Sequence, residues 1–376
     1  MSKITINKAI KAAEHPILLE SPAQLKEAEK SWSESPVLGL DTEFVRERTY
    51  RADLGLVQVS DGETAWLFDP LAIESTEPLV RMMTNPSTIK LLHSSSEDLE
   101  VLLNTYGALP EPLVDTQLAC AMLGQPLQMG YHHTVKWMFD IEIDKEQTRS
   151  NWLKRPLTDR QLHYAAMDVV LLPEMLLTLR PRLEQLGRWS WLQEDIARMQ
   201  RNARTPVDPE SAYLRFSGLG RLDADTLSAL KHLSRWREHT ASERNRARGF
   251  VISDAGMLQL ARSRPATAEE LRGIEDIHPV ALSRYGSTLL ETIAEAAADQ
   301  APVAIPEQLD EQQKAALKQM RQIVQQRSTE LDIEPALLAS RKELEKLIRA
   351  LGTGSPVPER FLGWRKAIVT DQLTSV

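Results

Sequence analysis

The sequence predicts an α/β domain followed by two all-α modules, and three observations support this prediction. In the first 200 or so residues, short apolar runs of strand length alternate with helical patterns. After residue 219 every apolar period is helical, up to residue 296. Two stretches that contain prolines, 202–211 with its prolines among polar residues and 299–306, separate these regions as linkers would. The predicted domains are therefore 1–203, 210–298 and 303–376.

The predicted strands of the first domain are short apolar runs bounded by polar residues. In chain order they are 37–40, 56–59, 65–68, 89–92 and a shorter run at 113–114. Helical patterns lie between and after them, at 79–83, 97–103, 116–123 and, as one long helix, 159–179. Strands that alternate with helices in this way are typical of a layered α/β domain.

Composition is that of an ordinary globular protein, with 42% hydrophobic and 26% charged residues among 376. Charged residues interrupt the N-terminal apolar stretch, so we predict no signal peptide. No later segment approaches the roughly 20 apolar residues of a membrane span. The single cysteine, Cys120, cannot form an internal disulfide, which fits a reducing compartment. We therefore expect a cytoplasmic protein that has no membrane partner.

The net charge of −8 limits how this chain can bind nucleic acid. Phosphate contacts are made by Lys and Arg, so the total charge argues against non-specific binding of polyanions by the whole molecule. Any contact with nucleic acid must therefore be local.

The first predicted strand leads into an Asp-x-Glu pair, Asp41 and Glu43. Residues two apart on a strand point to the same side, so both carboxylates would share one face. Hard divalent cations such as Mg²⁺ prefer oxygen ligands of this kind. The same spacing recurs at Asp98/Glu100, Asp140/Glu142, Asp208/Glu210 and Asp332/Glu334. Taken alone, the pair therefore also fits a solvated strand end.

Two further acidic residues extend the pattern. Asp98 follows the strand 89–92 and three serines, which also suit the start of a helix with acidic residues in its first turn. Tyr164 and Asp168 are four residues apart on the long predicted helix and so share a face, as a simple surface pair would. The three signals in this order are much harder to obtain by chance than any one of them.

This ordered set resembles the DEDD exonuclease superfamily in its tyrosine subgroup, and the sequence segments around it resemble the bacterial ribonuclease D family. Those segments are Leu-Asp-Thr-Glu-Phe-Val-Arg at 40–46, His-Ser-Ser-Ser-Glu-Asp-Leu-Glu at 93–100, Arg-Pro-Leu-Thr at 155–158 and Tyr-Ala-Ala-Met-Asp-Val at 164–169. The resemblance implies a ribonuclease H-like exonuclease domain, with a mixed sheet and flanking helices. It also implies a metal-dependent 3′→5′ exoribonuclease that releases 5′-mononucleotides from single-stranded RNA.

By motif match, the resemblance implies two divalent metal ions, Mg²⁺ or Mn²⁺, held by Asp41, Glu43, Asp98 and Asp168. Two cations about 4 Å apart can stabilise the attacking and the leaving oxygen of a displacement at phosphorus. Tyr164 would orient the attacking water, because a phenol with a pKa near 10 is a poor base at pH 7. Family analogy further suggests contacts with the terminal nucleotide, for which core packing is the alternative, at Thr42, Phe44, Gln58 and Leu99.

The segment 219–296 resembles the HRDC domain, a helical nucleic-acid-binding module, and the region after 309 resembles a second, more divergent repeat. The resemblance of the first module rests on 230–237, 250–254 and 284–286. Its basic residues predict a phosphate-contact patch at Lys231, Arg235, Arg237, Arg244, Arg246 and Arg248. An ordinary solvated helix face is the alternative, because Glu238 and Glu243 interleave.

Two other functions are compatible with the sequence. The carboxylates act on the phosphodiester and do not read the sugar, so a single-stranded DNA 3′→5′ exonuclease on the same fold is the first alternative. The second is a non-catalytic nucleic-acid-binding protein. The resemblance suggests RNA 3′ ends of transfer-RNA precursors as the substrate, and we expect a monomer.

Overall fold

The computed structural model describes residues 3–143, 147, 150–299, 301–305 and 308–376. The predicted domain start at Met1 and two residues of the second predicted linker, Gln300 and Pro306, lie outside the described residues. The chain forms two compact units. One comprises Met1–Val45, Leu54–Thr205 and Leu309–Val376, and the other comprises Arg46–Asp53 and Pro206–Gln308. The three domain boundaries given above stay a prediction.

The first unit contains a six-stranded mixed sheet, as the predicted fold class requires. Its strands are β1 (Ile17–Leu19), β2 (Val37–Val45), β3 (Asp53–Ser60), β4 (Ala65–Phe68), β5 (Ile89–Leu92) and β6 (Leu113–Asp115). They lie in the order β1-β4-β3-β2-β5-β6. Strands β3 and β4 are antiparallel, whereas β1 with β4, β2 with β5, and β5 with β6 are parallel pairs.

Strand β2 differs from its prediction in a way that matters for the site. The apolar run ends at Leu40, but the strand continues to Val45 and so includes Asp41 and Glu43. Backbone pairing in a sheet does not require apolar side chains, which is why the run of hydrophobic residues underestimates the strand. Both acidic residues therefore lie within regular strand rather than after it.

Helices flank this sheet in the described part of the first 205 residues. They are α1 (Lys3–Glu14), α2 (Pro22–Glu34), α3 (Glu77–Thr84), α4 (Ser96–Tyr106), α5 (Thr116–Ala121), α6 (Tyr131–Phe139), α7 (Asp159–Val170), α8 (Leu172–Gln185) and α9 (Trp189–Arg204). Helix α7 begins with a capping box in which Thr158 and Gln161 satisfy each other's backbone N–H. It packs against β2 and β4.

The long helix predicted at 159–179 is divided into α7 and α8 at Leu171. Pro173 lacks the backbone N–H that a continuous helix would need at that position, so the first helix ends just before it. Taken as one stretch, Asp159–Gln185 is long and apolar enough to cross a membrane, and it contains an 18-residue window with a mean hydropathy of 1.4. Because 56% of that window is buried within the protein, as in a core helix, this is only a weak indication of a span.

The second unit is helical, as predicted, and includes a loop from the first half of the chain. Its helices are α10 (Ala224–Glu243), α11 (Arg248–Val251), α12 (Asp254–Ser263), α13 (Ala268–Arg272) and α14 (Pro279–Ala298). Short 3₁₀ turns precede them at Pro209–Arg215 and Leu219–Arg221. The loop connects β2 to β3, and its Tyr50 hydroxyl and the Arg248 guanidinium both donate to the Glu238 carboxylate.

The C-terminal helices belong to the same compact unit as the sheet. They are α15 (Glu311–Leu331), α16 (Pro335–Leu338), α17 (Arg341–Thr353) and α18 (Asp371–Leu373), with a 3₁₀ turn at Glu359–Phe361 and a π-helical turn at Lys366–Thr370. A buried ion pair fixes them to α9: the Arg365 guanidinium donates to both Asp195 oxygens at 2.6 and 2.7 Å. Next to this pair the Trp191 and Trp364 rings stack, with centroids 4.4 Å apart.

Candidate active site

Three acidic side chains from β2 and α7 converge on one place. One carboxylate oxygen from each of Asp41, Glu43 and Asp168 lies within 4.8 Å of the other two. All three side chains are half-buried. The alternation of a strand puts Asp41 and Glu43 on the same side, and α7 brings Asp168 to that side. The structure therefore joins the strand pair and the helical aspartate of the sequence pattern.

The close approach of α7 to β2 depends on Gly39, which the sequence analysis did not single out. A Cβ at this position would lie 2.5 Å from the Val169 carbonyl oxygen and 3.1 Å from the Leu172 Cβ. Gly39 is two residues before Asp41 on the strand, and Val169 directly follows Asp168. The absent side chain thus lets Asp168 reach the strand pair. A glycine inside an apolar strand run was the available signal, because it often marks a close backbone approach.

The fourth predicted carboxylate, Asp98, lies beside this group of three and is not a member of it. Asp98 is in the first turn of α4 and is only 7% exposed. Its carboxylate accepts a hydrogen bond from the Thr42 hydroxyl, which comes from the β2 residue between Asp41 and Glu43. Asp98 is nevertheless close enough for its negative charge to raise the pKa of both Asp41 and Glu43.

Burial is the main reason why the pKa of each of these four carboxyl groups is raised. It raises the pKa of Glu43 to about 9, with help from the charges of Asp168 and Asp98. It raises the pKa of Asp168 to about 7 and that of Asp98 to about 6. The pKa of Asp41 lies well above its usual range because of burial and then the charges of the other three.

This donor set fits a divalent cation. Neighbouring carboxylates resist joint ionisation in a poorly hydrated place, and a cation removes that resistance because it neutralises them. Carboxylate oxygens are also the ligands that hard divalent cations prefer. The exonuclease fold and the acidic group together suggest divalent-metal binding at Asp41, Glu43 and Asp168.

Tyr164 lies one helical turn before Asp168 on α7, as the sequence spacing predicts. Its phenol donates a hydrogen bond to the Asp168 carboxylate, which lowers the pKa of that carboxyl group against the larger effect of burial. The centroid of the Tyr164 ring is 6.2 Å from that of Trp152, with 37° between the ring planes. The phenolic oxygen is therefore held at the acidic group.

The residues predicted at the terminal-nucleotide site differ in exposure. Thr42 is buried and bound to Asp98, and Phe44 is half-buried. Leu99 and Gln58 are fully buried, and the Gln58 side-chain amide has no hydrogen-bond partner among the described residues. Full burial favours core packing over direct contact with a base for Leu99 and Gln58.

His93 directly follows β5, and both of its ring nitrogens are engaged by the protein. One lies 2.8 Å from the Thr116 hydroxyl and the other 2.8 Å from the Met129 carbonyl oxygen. Burial lowers the pKa of His93. These contacts indicate a structural histidine.

For Arg237, the structure argues against the predicted phosphate contact. Its side chain is only 7% exposed, and its guanidinium donates to the Ile252 carbonyl oxygen at 2.9 Å and to Asp254 at 2.7 Å. A guanidinium that is buried and bound in this way cannot reach a phosphate. The other five basic side chains lie against acidic or aromatic groups: Lys231 and Arg235 at Glu210, Arg248 at Glu238 and Tyr50, Arg244 at Tyr285, and Arg246 at Phe250.

Three sequence families match successive parts of this chain. They are described as 3′-5′ exonuclease, at residues 16–184, HRDC domain, at 226–293, and Ribonuclease D, C-terminal HRDC domain, at 312–373. Ribonuclease D of Pseudomonas paraeruginosa is 40% identical over 353 residues, which cover 93% of this chain and 94% of that protein. Ribonuclease D of Escherichia coli K12 is 34% identical over 345 residues, or 90% of this chain and 92% of that protein.

A solved structure is similar to this chain over nearly its whole length. The crystal structure of Escherichia coli RNase D, described as an exoribonuclease involved in structured RNA processing, matches with a TM-score of 0.89 and 32% sequence identity. The match covers 96% of this chain and 98% of that one. The similarity therefore extends over the sheet and over both helical modules.

Proposed function

The chain belongs to the ribonuclease D family, and from this membership we propose that it is a metal-dependent 3′→5′ exoribonuclease that hydrolyses single-stranded RNA ends in the cytoplasm and releases 5′-mononucleotides. The observation that carries the proposal is the convergence of Asp41, Glu43 and Asp168 within 4.8 Å of one another. Neither β2 nor α7, which are distant in sequence, needs three carboxylates in one half-buried place for its own stability. Hydrolysis of a phosphodiester with the help of cations does need them.

We assign two divalent cations, Mg²⁺ or Mn²⁺, to Asp41, Glu43, Asp98 and Asp168. When bound, such cations stabilise the attacking and leaving oxygens of a displacement at phosphorus. The raised pKa of each of these carboxyl groups supports the assignment, because a cation is what allows them to ionise together. The Thr42 hydroxyl holds the Asp98 carboxylate in a fixed orientation next to the other three.

Tyr164 is our choice for the group that orients the attacking water. Its hydrogen bond to Asp168 fixes the phenolic oxygen beside the carboxylates. A phenol is a weak base near neutral pH, so its contribution is orientation rather than proton abstraction. Thr42 and Phe44 are the proposed neighbours of the terminal nucleotide, whereas we assign the buried Gln58 and Leu99 to core packing.

We further propose transfer-RNA precursors as substrates and a monomer as the active form. The relation to an RNase D described as acting in structured RNA processing supports the substrate. The helical modules would bind RNA away from its 3′ end. The basic residues proposed for that contact are Lys231, Arg235, Arg244, Arg246 and Arg248.

Digestion of a 5′-labelled single-stranded RNA tests the proposal. With Mg²⁺ we expect a ladder that shortens one nucleotide at a time from the 3′ end, and EDTA should abolish it. Asp168→Asn should lower the rate by about 10³-fold or more, because one of the charges that holds the cations is lost. The matched control is Asp140→Asn, which changes an exposed aspartate paired with Lys136 and should leave the rate unchanged.

Three outcomes would contradict the proposal. Undiminished nucleotide release by Asp168→Asn would refute the assigned role of the carboxylates. Release of a labelled mononucleotide as the first product would reverse the direction of digestion. Faster digestion of a single-stranded DNA of the same sequence would favour the DNA exonuclease instead.

A further inference from the structure

An ion pair between Arg155 and the buried carboxylate of Asp69 holds the segment that precedes α7. The Arg155 guanidinium donates to both carboxylate oxygens of Asp69, at 2.5 and 2.7 Å. Asp69 directly follows β4 and is only 1% exposed. The same guanidinium donates to the Gly55 carbonyl oxygen on β3 at 2.6 Å and to the Trp152 carbonyl oxygen at 2.7 Å. One side chain therefore fastens this segment to two parts of the sheet.

Trp152 packs closely on β3 at the point where Arg155 holds it. A Cβ at Gly55 would lie 2.6 Å from the Trp152 carbonyl oxygen and 2.9 Å from its Cβ, so only glycine allows this approach. The Trp152 side chain is 1% exposed. Its ring lies 6.2 Å from that of Tyr164, centroid to centroid. The position of Trp152 therefore constrains the position of the Tyr164 ring.

A continuous series of contacts leads from this ion pair to the acidic group. Asp69 binds Arg155, Arg155 binds the backbone of Trp152, and the Trp152 ring lies against Tyr164. The Tyr164 phenol in turn donates to Asp168. Helix α7 begins only a few residues after Arg155, with Thr158 as its N-cap. Both the start of α7 and the Tyr164 ring are thus fixed from the same place.

We propose that Arg155, paired with Asp69, is a positioning residue for hydrolysis, which acts by holding Trp152 and through it the phenol of Tyr164. The proposal rests on the proposed function, because it requires Tyr164 to orient the attacking water. An arginine is needed because its rigid fork of N–H donors serves a carboxylate and two carbonyl oxygens at once. The compact ammonium of a lysine keeps the charge but cannot hold all of these acceptors.

A double-mutant cycle in the full-length protein with Mg²⁺ and single-stranded RNA tests this. Arg155→Lys should lower kcat about tenfold, with KM changed less than about twofold, because the misplaced phenol affects the chemical step rather than RNA binding. In a Tyr164→Phe background the same change should lower kcat by less than about twofold further, since the group that Arg155 positions is already missing.

Arg365→Lys is the matched control, because Arg365 also makes a bidentate pair with a buried carboxylate, that of Asp195, and also binds carbonyl oxygens, those of Leu337 and Leu338. Arg365→Lys should change kcat by the same factor whether Tyr164 is present or replaced by Phe. If Arg155→Lys loses its cooperative thermal transition, Trp152→Phe takes its place in the cycle and carries the same expectation.

The positioning role would be overturned if the folded double variant lost kcat by the product of the two single-variant factors. Such a result would show that Arg155 acts independently of Tyr164. This failure is distinct from failure of the proposed function. In the first case the unaltered protein hydrolyses RNA and only the cycle disagrees. In the second the unaltered protein does not hydrolyse RNA at all.

Discussion

Asp41, Glu43 and Asp168 each place one carboxylate oxygen within 4.8 Å of the other two. Burial and then mutual repulsion oppose their ionisation, which is why the pKa of Glu43 rises to about 9. A bound cation reverses this balance, because it stabilises the ionised form. The same residues are therefore unfavourable in the metal-free protein and suited to a metal-bound one.

In metal-free protein we expect these groups to make the fold less stable as the pH rises. A carboxyl group whose pKa is higher in the folded than in the unfolded state stabilises the fold fully below the unfolded pKa of about 4. That contribution is lost as the pH rises through the folded values, about 6 for Asp98, 7 for Asp168 and 9 for Glu43. Urea unfolding in EDTA between pH 4 and pH 9 measures the effect.

The variant Glu43→Gln/Asp168→Asn isolates this contribution from other titrating groups. Because its amides do not ionise, its stability relative to the unaltered protein should increase with pH in EDTA. Mn²⁺ at pH 9 should stabilise the unaltered protein and have little effect on the variant. A stability difference that does not change with pH would refute the link between these carboxyl groups and folding.

Residue types and spacings predicted the acidic group better than they predicted its surroundings. The side on which Asp41 and Glu43 lie follows from strand alternation alone. The bond from Thr42 to Asp98 and the burial of Arg237 could not be predicted, because each depends on a partner outside the local pattern. A buried arginine and a solvated one look alike in a run of mixed charges. The roles of the individual site residues stay predictions.

Elements with a clear apolar period were predictable, and the departures have local causes. β1 is only three residues long, too short to show a period. β2 continues past its apolar run, since sheet pairing is a property of the backbone. α7 and α8 were predicted as one helix because the apolar period continues through Leu171, whereas Pro173 ends the hydrogen-bond pattern.

Among the contacts between elements, the site depends most on the close approach of α7 to β2. Gly39→Ala tests this dependence. The added Cβ would lie 2.5 Å from the Val169 carbonyl oxygen, so α7 must move away from the strand. We expect the free energy of unfolding to fall by about 1–3 kcal/mol, as for other overpacked sites. We also expect kcat to fall by up to about 10²-fold, because Asp168 moves with α7. Urea unfolding and steady-state kinetics measure the two effects.

Gly249→Ala is the control for this change, because a Cβ at position 249 meets no atom within 4 Å. Its stability and kcat should match those of the unaltered protein. If Gly39→Ala behaves in the same way, the close approach of α7 does not set the geometry of the acidic group.

At the scale of the whole molecule, composition showed where linkers lie but not which surfaces pack together. The prolines after residue 201 and around 302 predicted breaks between three modules. Packing of the C-terminal helices on α9, through Arg365 and Asp195, groups them with the sheet. Such a pairing joins residues from distant segments, which no local pattern records. Likewise, the net charge of −8 does not reveal that several carboxylates are gathered at one site.

The central claim, that these carboxylates hold the cations required for hydrolysis, is tested most directly by counting bound Mn²⁺ from the electron paramagnetic resonance of the free ion, in the presence of a 5′-mononucleotide. We expect two Mn²⁺ per chain in the unaltered protein and in Asp140→Asn. Asp41→Asn should bind at least one fewer and release nucleotides about 10³-fold more slowly. Equal Mn²⁺ binding by Asp41→Asn, or nucleotide release that continues with no cation bound, would contradict the account.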